Sequence, residues 1–201
     1  MKTFTFLTLC LVLVGCGSEP PAPEKKTEVK PAEPVTGRQA LQQMYIAARA
    51  WASDLQPVKV TSILLPDVKA EPGKAAAWQV IFVSPSQSKA RSYTYSVVES
   101  EGNLHKGVFA GTDQSWSSSG ASKPFLMAAV KTDSDQAYQT ALKKGADYDK
   151  KNPGKPITFL LEATAKFPDP AWRVVWGESV GTSNFSIFVD ASTGQYLETM
   201  R

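Results

Sequence analysis

Bulky apolar residues alternate with others along Ala171-Trp172-Arg173-Val174-Val175-Trp176 and again along Phe185-Ser186-Ile187-Phe188-Val189. Period-two alternation is the mark of a strand with one buried face, and Asp190 to Gly194 supplies the short polar residues and the glycine of a tight reversal into Tyr196 and Leu197. The same pattern stands earlier in the chain, as Ala77-Trp78-Gln79-Val80-Ile81-Phe82 and Tyr93-Thr94-Tyr95-Ser96-Val97-Val98, with Gly102 in the place of Gly194. The repetition implies a duplication. It puts Trp78, Val80 and Phe82 on one strand face, and Trp172, Val174 and Trp176 on its counterpart.

Each pair of strands follows a helical pattern. Thr36 and Gln39 have capping-box spacing, and Leu41, Met44, Tyr45, Ala48, Trp51 or Ala52, and Leu55 recur on one helical face until Pro57 stops the helix. Val58 to Leu65 is expected as a strand and Pro66 to Lys74 as a turn. Strands over Ala77 to Val83, Ser92 to Val98 and Leu104 to Phe109 follow. In the second copy, Phe125 to Lys131 leads into the polar cap Thr132-Asp133-Ser134-Asp135-Gln136. The helix then runs to about Asp149, with Tyr138, Ala141, Leu142, Gly145 and Tyr148 repeating the apolar spacing. After Pro153-Gly154, Ile157 to Leu161 matches Val60 to Leu64. A repeat of about 95 residues is too long for a solenoid.

The fold class expected is therefore α+β, as two tandem small domains, each one helix packed on an antiparallel sheet of three to four strands. They span 36–110 and 124–201, joined by a Ser/Gly-rich flexible linker at 111–123. Trp116, inside that linker, is expected to fold back on a domain face and bury its ring.

What precedes the first domain has a different character. Met1-Lys2 and an apolar run from Phe4 to Val14 are about half the roughly 20 residues of a membrane-spanning helix, so residues 1–15 suit a signal peptide. Leu13-Val14-Gly15-Cys16 resembles the lipobox of bacterial lipoproteins, which implies cleavage before Cys16 and a lipid on its thiol. The alternative is an ordinary secretory signal with a chance cysteine. Residues 16–35 are rich in Pro, Glu and Lys with almost nothing to bury, a solvated tether of about 3.1 Å per residue where it adopts polyproline II. A proline-rich ligand for a partner domain is the other reading. No aspartate follows Cys16, since Gly17 and Ser18 stand there, which by the same resemblance favours the outer membrane facing the periplasm if the organism is Gram-negative.

Composition narrows the chemistry. A formal net charge of +3 over 201 residues gives no argument for a nucleic-acid partner. Both cysteines, Cys10 and Cys16, precede the globular region and there is a single histidine, His105, so a disulfide framework, a thiolate site and a multi-histidine metal site are not expected there. His105 has no assignable catalytic partner in the sequence and is expected on the surface. Ser117, Ser118 and Ser119 lack a nucleophile-elbow pattern. Asp133 and Asp135 suit helix capping, and Asp147 and Asp149 suit a solvated helix face, because neither pair has the ligand density of a calcium loop. Lys143, Lys144, Lys150, Lys151 and Lys155 form a modest basic concentration broken by those last two acids.

Lys131-Thr132-Asp133-Ser134 entering a helix with Ala137 and Ala141, a strand beginning Trp172-Arg173-Val174, and a strand Val189-Asp190-Ala191 closed by Gly194 together resemble the PepSY-like domain. The match extends over Ala128 to Leu197 and is weaker over Arg38 to Phe109, where Glu99-Ser100-Glu101-Gly102 replaces Asp190-Ala191-Ser192-Thr193-Gly194. The resemblance implies a helix on a small antiparallel sheet, often in tandem, in bacterial envelope proteins and protease propeptides, and a binding role. The function expected is a lipid-anchored, non-enzymatic envelope module without a cofactor, binding a protein or peptide, a peptidase among them. The alternative is a small-ligand or lipid carrier with a pocket between helix and sheet. Trp78, Phe82, Trp172 and Trp176 form the binding groove if the sheets leave their aromatic faces open, and the core if they do not.

Overall fold

The structure, a computed structural model, describes residues 32–102 and 104–201. Cys16, the signal segment and nearly all of the expected tether lie outside the described residues. The chain enters through β1 (Val35–Thr36) into α1 (Gly37–Ala48). It continues through β2 (Gln56–Ile63), β3 (Lys74–Ala75), β4 (Ala77–Ser84), β5 (Lys89–Ser96), β6 (Gly107–Ser115) and β7 (Ser122–Lys123). A short 3-10 turn at Met127–Ala129 precedes α2 (Ser134–Lys151), β8 (Ile157–Thr164), β9 (Ala171–Trp176), β10 (Ser186–Asp190) and β11 (Tyr196–Met200).

The architecture is α+β, two helices on one large antiparallel sheet. Its strand order is β11-β10-β9-β8-β2-β4-β5-β6, with β7 pairing off β8 and β1 pairing separately with β3. Each half is a meander running outward from the centre. The halves are not held apart by a connector: β2 and β8 pair antiparallel, with Val60 opposite Leu161 and Lys59 opposite Glu162. The unbroken run Phe159-Leu160-Leu161, buried on both faces of the sheet, is the composition of a central strand.

The expected linker and the expected end of the first helix both move. The linker at 111–123 is largely structure, since Gly111 to Ser115 belongs to β6 and Ser122–Lys123 pairs with β8. As an edge strand β6 has no deeply buried face, so its polarity resembles that of a loop. A bulge falls between its pairings with Arg91 and Tyr93, at Gly111, where an added Cβ would lie 2.5 Å from the Ser92 hydroxyl. Trp116 does pack back, on the outer sheet face with Val58, Val83 and Ala90. The first helix stops at Ala48 and does not reach Leu55, although Ala52 and Leu55 remain buried. Asp54, in the segment beyond, accepts hydrogen bonds from the Ser84 hydroxyl at 2.6 Å and the Ser86 N–H at 2.8 Å, which ties that segment to the end of β4.

The two helices meet at their N-termini. Asp133, the N-cap of α2, accepts from the Ser134 N–H at 2.7 Å, the Thr36 hydroxyl at 2.6 Å and the Arg38 N–H at 2.9 Å. It therefore satisfies orphan donors of both helices, while Gln136 closes its own capping box by accepting the Asp133 N–H. The Gly37 N–H donates to Ser134 Oγ, whose hydroxyl donates to the Gly73 carbonyl. Beneath this junction Trp78 and Trp172, both fully buried, pack edge to face at 6.3 Å between ring centroids. Their indoles occupy corresponding places: Trp78 donates to the Val35 carbonyl and Trp172 to the Thr132 carbonyl, in each case the residue before a helix N-cap.

That crowding sets Gly37. A Cβ there would lie 2.5 Å from the Trp172 ring and 2.9 Å from the Trp78 ring. In an unpacked helix Gly→Ala stabilises by about 1 kcal/mol, but here overpacking reverses the sign. Gly37→Ala should cost about 1–3 kcal/mol in urea unfolding, and an unchanged or higher midpoint would show that the tryptophan pair does not close on this position.

Candidate binding cleft

Of the two places open to the four aromatic residues, groove or core, the structure puts them in the core. Trp78, Phe82, Trp172 and Trp176 are all fully buried under the helices. The helices lie close because their inward residues are small. Ala40 and Ala48 on α1, and Ala137, Ala141 and Gly145 on α2, are buried against the sheet, and a Cβ on Gly145 would be 3.1 Å from both Trp176 and Ile187. Large rings from the strands fill the space that small helix residues leave, so no open aromatic face remains.

Concavity occurs instead at the end of the central seam. A cleft of about 490 Å³ lies where β2 ends and β8 begins, under the segment that joins β2 to β3. Ile63, Leu64, Leu65 and Val68 form one wall, Tyr138, Ile157 and Phe159 the other. The loop wall is fastened to α2: Gly73, at φ 73°, approaches so closely that a Cβ would fall 2.1 Å from Asp135 Cα, and its carbonyl takes the Ser134 hydroxyl. The short pairing of β1 with β3 closes the same end. Lys69, Lys74, Glu71 and Lys155 line the cleft as well, and Glu71 is engaged by Lys74 at 2.7 Å. The Tyr138 phenol is pushed up by burial and by the charge of Asp149, so it stays a neutral donor, and it makes no hydrogen bond among the described residues. This cleft joins residues from both halves, which is why neither half's pattern shows it.

Among the described residues the sheet ends in two edges without a further strand, β6 and β11. β6, at nine residues the longest strand, carries the exposed Val108 and Phe109. β11 carries the exposed Tyr196, Leu197 and Met200.

The remaining candidates have local partners. His105 meets Glu99 at 2.6 Å and lies against Phe109, on the surface and without a nucleophile. Ser117 and Ser119 bond each other, and the Ser118 carbonyl accepts from Lys123. Asp135 accepts the Gln136 N–H in the first turn of α2. Asp149 departs from expectation, since it is not wholly solvated but accepts the Trp176 indole N–H at 2.9 Å. Lys144 and Lys155 lie over the rings of Tyr196 and Tyr148, which divides the basic concentration between separate contacts. Among the described residues no cluster of three or more His, Cys, Asp or Glu side chains could hold a metal ion.

No family model matches the sequence, and no curated relative does. Among solved structures the chain is similar to a protein of Clostridium difficile 630 named a "putative lipoprotein", with a TM-score of 0.53 and 11% identity, over 80% of this chain and 91% of that one. At that identity the likeness is one of fold.

Three surface carboxylates hold turns or edges together. Hydrogen bonds lower the pKa of each: Asp54 by the Ser84 hydroxyl, Asp113 by Arg91, and Glu99 by the Lys106 N–H and then His105. A folded-state pKa below the unfolded value means stability that is full above the ordinary carboxylate range, near 4, and lost as pH falls through it. Thermal midpoints should therefore drop as pH falls below about 5 and on through the lowered folded values, and Asp54→Asn should flatten that fall. Parallel curves for variant and wild type would remove Asp54 from the account.

Proposed function

We propose that the chain is a lipid-anchored, non-enzymatic binding module of the bacterial cell envelope, built from PepSY-like halves and engaging an extended segment of a protein partner by strand addition. The observation that carries this reading is the edge strand β6: no described residue pairs with its outward side, and its apolar residues Val108 and Phe109 are exposed. An edge of this kind is a ready template for a further strand, and exposed side chains beside it supply selectivity. A peptidase is one partner class consistent with the propeptide resemblance. The Cys16 lipobox supports an anchor by acyl chains on that thiol, each buried methylene contributing about 0.8 kcal/mol. The lipoprotein name of the Clostridium difficile protein agrees with it. The residues after Cys16 favour the outer membrane, facing the periplasm, in a Gram-negative cell. A second reading, a small-ligand carrier, draws on the cleft.

The test is crosslinking in cells followed by recovery of the tagged protein. Wild type should bring down a partner and Phe109→Lys, which blunts the edge, should lose at least nine-tenths of it; recovery of the same partner by both variants, or of none by either, would contradict the edge reading. In the same cells fed a labelled fatty acid, Cys16→Ser should carry no label, and a labelled variant would contradict the anchor.

A further inference from the structure

We infer that the cleft at the end of the β2/β8 seam is a binding site for a single-tailed anionic amphiphile, an apolar chain ending in a carboxylate or phosphate. The inference goes beyond edge pairing and rests on different residues. The cleft's volume of about 490 Å³ falls within the range of small-molecule sites, about 300–1,000 Å³. Its walls are dominated by aliphatic and aromatic side chains, Ile63, Leu64, Leu65, Val68, Ile157 and Phe159, and Leu64 stays exposed on the wall formed by the segment after β2. Apolar surface held open in this way, walled by a loop pinned to α2, gains from a hydrophobic tail that removes it from water.

The charge around the cleft selects the other end of the ligand. Of its charged lining residues, Glu71 is the one acid, and it is answered by Lys74. Lys74 also has Glu33 and Asp135 nearby, so that corner of the cleft carries excess negative charge and is not where an anionic headgroup would sit. Lys69 makes no hydrogen bond or ion pair among the described residues. Lys155 contacts the Tyr148 hydroxyl at 2.8 Å and its ring, neither of which neutralises it. Among the described residues Lys69 and Lys155 therefore have no carboxylate partner, and both border the apolar cleft. The Tyr138 hydroxyl, without a hydrogen-bond partner among the described residues, adds a donor on the α2 wall. An uncharged tail would fill the walls and leave these groups as they are, whereas an anionic headgroup would meet them with charge-assisted hydrogen bonds.

The experiment is calorimetric titration of the full chain bearing Cys16→Ser, so that no detergent competes. The probes are laurate, 1-dodecanol, hexanoate and a lysophosphatidate with a 12-carbon chain. Laurate should bind at least 10-fold more tightly than dodecanol and at least 100-fold more tightly than hexanoate, which lacks six methylenes. Lys69→Glu combined with Lys155→Glu should weaken laurate at least 10-fold while leaving dodecanol within 2-fold. Both lysines are exposed, so an unchanged thermal midpoint should accompany that loss. Whichever of laurate and lysophosphatidate binds more tightly names the headgroup source, carboxylate or phosphate. Absence of laurate binding, equal affinity for dodecanol, or no response to the double substitution would each overturn the inference. Phe109→Lys should leave laurate binding unchanged, so failure of the edge reading and failure of this site are told apart.

Discussion

One carboxylate holds the N-termini of both helices. A helix leaves four N–H groups unsatisfied at its start, and a single N-cap side chain serves one helix in the ordinary case, for about 1 kcal/mol. Asp133 accepts from donors at the start of both α1 and α2, across 95 to 97 residues of sequence. The positive ends of two helix dipoles therefore converge on one anion, which is their favourable arrangement. With the helix starts joined there, Trp78 and Trp172 are brought edge to face directly below, and Gly37 has to be a glycine for the chain to pass over them. The tryptophan pair of the core and, through Gly73 on Ser134, the loop wall of the cleft both meet this junction.

Joining the halves through β2 and β8 alters what each half has to supply. Two separate small domains would expose four sheet edges. One continuous sheet exposes two and gives the tryptophans of both halves a single core, which suits the marginal burial that domains of this size achieve alone. It also makes a cleft from parts of both halves: the loop after β2 comes from one, Tyr138 and Phe159 from the other.

The sequence made the halves legible and their union illegible. Alternation around Trp78 and Trp172, the caps at Thr36 and Asp133, and the turn from Asp190 to Gly194 are local signals, and the structure places each where its chemistry requires. Asp190 accepts the N–H groups of Ser192 and Thr193, and Gly194 takes φ 74° in the turn. Pairing of β2 with β8 is a contact over some hundred residues with only three register pairs, and periodicity carries no signal for it. Phe159-Leu160-Leu161 was the available clue, being apolar on consecutive positions where an edge strand would alternate. Burial of the aromatic faces likewise depended on small residues opposite them, Ala137, Ala141 and Gly145, whose role is visible only against the rings they admit. The later part of β6, Gly111 to Ser115, reads as linker because a strand without a buried face has no pattern, although its start falls within the strand expected at Leu104 to Phe109.

Native-state hydrogen exchange on Asp133→Ala addresses the shared cap most directly. The Arg38 N–H has its acceptor on Asp133, in the other half of the chain, so the account predicts faster exchange at Arg38 and at Ser134 together, with the amides of β2 and β8 losing protection by the same factor. Faster exchange confined to α2 and its strands, with Arg38 and β2 unchanged, would contradict it.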